Sequence, residues 1–144
     1  MRRALFVLLL LGVAWVPTAA AQAPAPAQPL PPFDTLRFYD QARFEAAIAP
    51  YAQAVARNAN DARAHYWLGV AYLHAARLHR FGLAPWAADH AGRAVASLER
   101  ALQLQPAIEV MLVLADAYAL VGAQDKLNEL NVRLAALARP QPLR

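Results

Sequence analysis

From Phe33 onward apolar residues return every three or four positions, and no stretch alternates polar with apolar or gathers Val, Ile and Thr into a run. That periodicity belongs to helices with one buried face, so the folded part of the chain is expected to be all-α. Side-chain chemistry marks the helix limits. Asp34 is placed to cap a first short helix, with Phe33 and Phe38 at the staple positions, and Asp40 to cap the next. Asp61 precedes the run Ala62–Arg80, Gly82 can take the left-handed conformation beyond its end, and Pro85 sits where a first-turn proline is tolerated. Pro106 then opens a fifth helix, Gly122 closes it and Asp125 caps a sixth. Six helices in three antiparallel hairpins follow. Pro50 falls within the second helix, where its missing N–H predicts a kink or a late start.

The hairpins are related by an internal repeat. Ala47, Tyr51, Ala54 and Val55 correspond in spacing to Ala94, Leu98, Ala101 and Leu102, each set followed by a turn. Leu68-Gly69-Val70-Ala71-Tyr72 corresponds to Leu114-Ala115-Asp116-Ala117-Tyr118. Small residues at these positions let two helices approach closely while an opposing leucine or aromatic fills the gap.

In these residues the chain resembles the tetratricopeptide repeat (TPR) family, whose helix-turn-helix unit of about 34 residues carries W-x2-L-G-x2-Y and later small, bulky, small and Pro positions. His65 stands at the Trp position, Leu68, Gly69 and Tyr72 at the Leu, Gly and Tyr, and Ala94, Leu98, Ala101 and Pro106 at the later ones. Ala47, Ala54 and Leu68 follow the family spacing without a gap, and the resemblance covers residues 34–139. It implies a right-handed array of three antiparallel helix hairpins. Between Tyr72 and Ala94 the chain has about 13 residues more than the family unit of about 34, so the second hairpin is expected to be elongated. Divided evenly, the excess lengthens each helix by about six residues, or roughly 9 Å. Leu127, Leu130, Leu134 and Leu137 form one stripe on the last helix, as suits a terminal cap.

Ahead of this domain, residues 1–21 have the layout of a secretory signal peptide: Arg2-Arg3, an apolar run of 13 residues over 4–16, Pro17 and a small-residue end. The run is shorter than the about 20 residues that a membrane helix needs, and no integral span is expected after cleavage. Cleavage suits Ala21, or Ala23 two residues later; the other readings are a buried N-terminal helix or an uncleaved anchor. Residues 22–33 form a Pro/Ala-rich linker, 34–139 the helical domain and 140–144 a tail. The expected location is periplasmic or secreted, and with no Cys in the chain there is no lipid-modified N-terminal Cys.

The inventory of reactive groups is thin. The absence of Cys closes disulfide, thiolate and Cys-zinc chemistry. The mature chain holds one Ser (Ser97), one Thr (Thr35) and one Lys (Lys126), with neither a phosphate loop nor an H-E-x-x-H motif. A non-catalytic protein with no cofactor is expected. The formal charge of +4 falls to +2 once Arg2 and Arg3 are removed, too weak to imply nucleic acid.

Two functional readings remain. By repeat position, the A helices present Arg63, Tyr66, Val70, Leu73 and Arg77 in the second unit and Glu109, Leu112, Asp116 and Ala119 in the third. The resemblance implies that these line a concave groove holding a protein or peptide partner, here one in the cell envelope. In one TPR subtype paired Lys and Asn grip terminal carboxylates; Tyr66 and Val70 stand at the first of those positions, so that clamp is absent. The alternative is a small-ligand or metal carrier, in which His79 comes opposite Asp89 and His90 across the elongated hairpin, with Trp67 and Trp86 nearby in sequence.

Overall fold

A computed structural model describes residues 40–138. The expected signal peptide, the linker, the short helix from Asp34 and the tail lie outside the described residues.

The first helix, α1 (Gln41–Arg57), starts where Asp40 Oδ1 accepts a hydrogen bond from the Arg43 N–H at 2.8 Å. Phe44, Ile48 and Tyr51 are its buried stripe, one side chain per turn. The helix runs through Pro50, so of the two outcomes expected there the late start does not occur. Ala46 and Pro50 both face solvent, so water can satisfy the carbonyl that the proline ring leaves without a donor.

Asp61 starts α2 (Ala62–Arg80), its carboxylate accepting from the Ala64 N–H at 2.9 Å. A Schellman turn ends it. Gly82 has φ 75°, its N–H donates to the His79 carbonyl, and the Leu83 N–H donates to the Leu78 carbonyl, each at 2.9 Å. Pro85 does not open the next long helix. Pro85–Ala87 is a short 3-10 turn, and α3 (His90–Leu104) begins only afterwards. The break lets Ala84 and Ala87, both with no exposed surface, and the half-buried Trp86 tuck beneath α1 and α2. A straight helix from residue 85 would carry part of that apolar surface into water. The elongation therefore falls unevenly: α2 has 19 residues and α3 has 15, against 14 in each helix of the next hairpin.

That hairpin consists of α4 (Ile108–Val121) and α5 (Gln124–Leu137). Pro106 lies in the turn ahead of α4 rather than at its first position, and Asp125 sits in the first turn of α5 instead of capping it. Gly122, with φ 72°, makes the second left-handed helix end, as expected. All the described regular structure is helical, and each helix packs on its successor, the α2/α3 pair most extensively.

The repeat positions explain that packing. Leu68, Gly69, Ala94, Leu98, Ala101, Leu114 and Tyr118 are buried, Tyr51 with them, while Ala47, Ala54, Tyr72 and Ala115 are partly buried and Pro106 is exposed. The core divides into two clusters. Phe44, Ile48, Tyr51, Leu68, Ala71 and Ala75 join α1 to α2 and the 3-10 turn. Leu73, Leu98, Leu102, Met111, Leu114 and Leu130 hold α2 through α5 together.

One polar network crosses the second cluster. Glu99 Oε1 accepts from the Tyr118 hydroxyl and from Lys126 Nζ, both at 2.7 Å, tying α3 to α4 and α5. Burial pushes the Glu99 carboxyl up, but the hydrogen bonds from Lys126 and Tyr118 and the lysine's charge outweigh it, and the net shift is downward from 4.5. A carboxyl whose folded-state pKa is depressed adds stability above its unfolded value and loses it as the pH falls through the lower folded value. Urea melts between neutral pH and acid should therefore show a decline below about pH 4.5 that Glu99→Gln flattens. The pair is partly exposed, so the difference should not exceed about 1 kcal/mol.

Candidate functional site

The face shared by α2 and α4 holds the expected groove residues, but in three different environments. Arg77, near the C-terminal end of α2, donates from Nη2 to Asp116 Oδ2 at 2.9 Å, so two of the expected groove residues pair with each other. Leu73 is 3% exposed and belongs to the core, a correction to its place on the open face. The twelfth helical position of the repeat turns it toward α3 and α4, where Ala94, Leu98 and Leu114 bury it. Val70 is partly buried, whereas Leu112, 55% exposed, and Ala119 lie open.

Arg63, Tyr66 and Glu109 come together elsewhere on this face, at a cleft of about 350 Å³ between the start of α2, the end of α3 and the start of α4. Trp67, Gln105 and Val110 complete its walls, with Ala62, Ala101 and Ala107. Tyr66 and Trp67 meet edge-on at 5.0 Å. Burial, then the negative charge of Glu109, raises the Tyr66 hydroxyl pKa above its ordinary value, keeping it a neutral hydrogen-bonding group. Of the wall residues, Gln105, Ala107 and Val110 do not follow from the repeat pattern. They belong to the α3–α4 junction, and the only sequence signal for them is that Pro106 must put a turn there.

The histidines do not converge. His79 Nδ1 donates to the Ala84 carbonyl at 3.0 Å, closing the end of α2. His90 is 7% exposed and packs against Phe44, Tyr72 and Trp86 with ring centroids at 5.3–5.4 Å, its Nδ1 lying 2.8 Å from Asp89 Oδ1. That hydrogen bond, reinforced by Arg93 at 2.6 Å, holds the Asp89 carboxyl below its ordinary value. No three His, Cys, Asp or Glu side chains among the described residues are grouped to hold a metal, so the metal-carrier form of the alternative built on His79, Asp89 and His90 has no support. The break at residues 85–89 is the physical reason: it turns His90 into the aromatic cluster and leaves His79 on the Ala84 carbonyl. Lys126, the one lysine, is committed to Glu99.

Residues 36–74 match the family model described as TPR repeat. Over that stretch the chain is similar to a tetratricopeptide repeat. The matched stretch runs through α1 into α2, across the junction where Ala47, Ala54 and Leu68 keep the family spacing. No curated protein and no solved structure gives a significant match. TPR units generally build non-catalytic protein-interaction scaffolds, and an interaction module with protein partners is the function that the repeat indicates. No helix among the described residues is long and apolar enough to cross a membrane.

Proposed function

We propose that this TPR protein is an exported, non-catalytic adaptor that holds a segment of a cell-envelope protein along the α2–α4 face, with no obligatory cofactor. The observation that carries the reading is the open face itself. Leu112 is 55% exposed on a helix that is apolar over most of its circumference, beside a cleft containing Tyr66. Such exposed apolar surface beside a concavity is where partner side chains gain most from leaving water. Arg77 is a weaker anchor than its position implies, because its guanidinium already serves Asp116. Export rests on the tripartite N-terminus, with Arg2-Arg3, the run of 13 apolar residues and the small-residue end.

Crosslinking of the tagged protein in its native envelope, with intact-mass measurement of the bait, tests both parts. The bait should lack its first 21 or 23 residues. Tyr66→Ala and Leu112→Ala should each weaken capture of the crosslinked partner by about 1–3 kcal/mol, while Val132→Ala on the outer helix α5 should not. A bait starting at Met1 in the cytoplasm refutes export, and capture indifferent to both substitutions refutes the face.

A further inference from the structure

Two pairs of opposite charges stand on α2 and α4. Arg77 and Asp116 close on each other at 2.9 Å, while Arg63 and Glu109 flank the cleft, exposed, and form no ion pair among the described residues. The cleft keeps them apart. The concavity has a structural reason: Ala62, Ala101 and Ala107 contribute side chains that stop at Cβ, where a longer residue would narrow the space. The remaining walls combine apolar surface from Val110 with the rings of Tyr66 and Trp67.

We propose that this cleft is an anchoring subsite for one aromatic side chain of a bound peptide segment, bracketed by an acidic residue that meets Arg63 and a basic residue that meets Glu109. The inference rests on the groove reading above and names the chemistry of its occupant. At about 350 Å³ the space lies at the low end of ligand-sized pockets, which run from about 300 to 1,000 Å³, enough for a single large side chain and too little for a helix. An aromatic ring suits the walls, because it can meet the Tyr66 and Trp67 rings edge-on or offset. The separated charges then act at the rim. Arg63 and Glu109 attract ionic groups on either side of the anchor and leave segments of the wrong charge order with like charges opposed.

Synthetic peptides test this with the isotope-labelled full chain. The probe is acetylated and amidated Asp-Gly-Phe-Gly-Lys, with one analogue carrying Ala for Phe and another carrying Asn and Gln for the two charged residues. The Phe peptide should shift the Trp67 indole N–H resonance saturably, and each analogue should bind about tenfold more weakly. Ala62→Leu extends a side chain into the cleft from the first turn of α2 and should weaken the probe about tenfold at unchanged helicity. Should that variant unfold, Glu109→Gln, exposed and outside the core, should still shrink the preference for the charged probe over its neutral analogue to the share that Arg63 supplies. Equal binding of the Phe and Ala peptides, no saturable shift at Trp67, or shifts confined to Leu112 and Ala119 would overturn the subsite. In the last case the groove reading survives. Saturation of the cleft by the probe together with partner capture indifferent to Leu112→Ala and Tyr66→Ala would instead establish the subsite and refute the groove.

Discussion

Replacing Gly69 with leucine is expected to force α2 and α3 apart and to lower stability by about 3 kcal/mol. A Cβ at Gly69 would stand 2.5 Å from Leu98 Cγ, 2.8 Å from Cδ2 and 3.2 Å from the Leu98 backbone nitrogen. Leu98 has no exposed surface and sits in the core cluster, so its side chain has nowhere to retreat, and the backbone contact can be relieved only by moving a helix. Even Gly69→Ala should destabilise. Within a helix that substitution normally gains about 0.8–1 kcal/mol, so a measured loss isolates the steric clash from propensity. Urea or thermal melts give the sign directly, at about 4–8 °C per kcal/mol for a domain of this size. A double-mutant cycle with Leu98→Ala should recover about 1 kcal/mol or more of the clash, because truncating Leu98 makes the space that the new Cβ needs. Additive losses would show that the two residues do not meet.

The same contact shows how much of the fold was legible. A repeated small residue opposite a repeated leucine is a packing statement, and Gly69 against Leu98 is its realisation. Asp40, Asp61, Gly82 and Gly122 act where their chemistry places them, because a cap or a left-handed turn is decided within a few residues. Pro85, Pro106, Asp125 and His90 were harder to read. Each is locally compatible with a helix start, and for Pro85 and His90 tertiary burial decided otherwise: Ala84, Trp86 and Ala87 gain more beneath α1 than as a first helical turn. Local rules give no estimate of that gain. The face of α2 and α4 was legible as two rows, since repeat position fixes which side chains share a side. Its division into an ion pair, a buried leucine and a cleft was not. Whether Arg77 reaches Asp116, or Arg63 stays clear of Glu109, depends on how far apart the two helices lie along their length. Residue types in one repeat do not set that separation.

Phe44→Ala is expected to cost about 3–5 kcal/mol and to act on one end of the array. The Phe44 ring is 2% exposed and lies 5.0 Å from Trp86, 5.4 Å from His90 and 6.2 Å from Tyr72, measured between ring centroids. A single side chain of α1 thus touches α2, the 3-10 turn and α3. Ile48 and Tyr51 complete the buried stripe of α1 and belong to the same core cluster as Phe44. Repeat arrays are held by nearest-neighbour interfaces, so losing one weakens the element beyond it more than the elements on its other side. Hydrogen exchange should then accelerate through α1 and residues 84–89, while α4 and α5, anchored by Leu114, Met111 and Leu130, keep their protection. The cleft draws its walls from α2, α3 and α4 and none from α1, so the Phe-bearing probe should still shift the Trp67 indole in the variant. Uniform loss of protection from α1 to α5 would mean that the two core clusters melt as one cooperative unit. In that event the cleft would depend on α1 through stability alone, and probe binding would fall in step with the folded fraction.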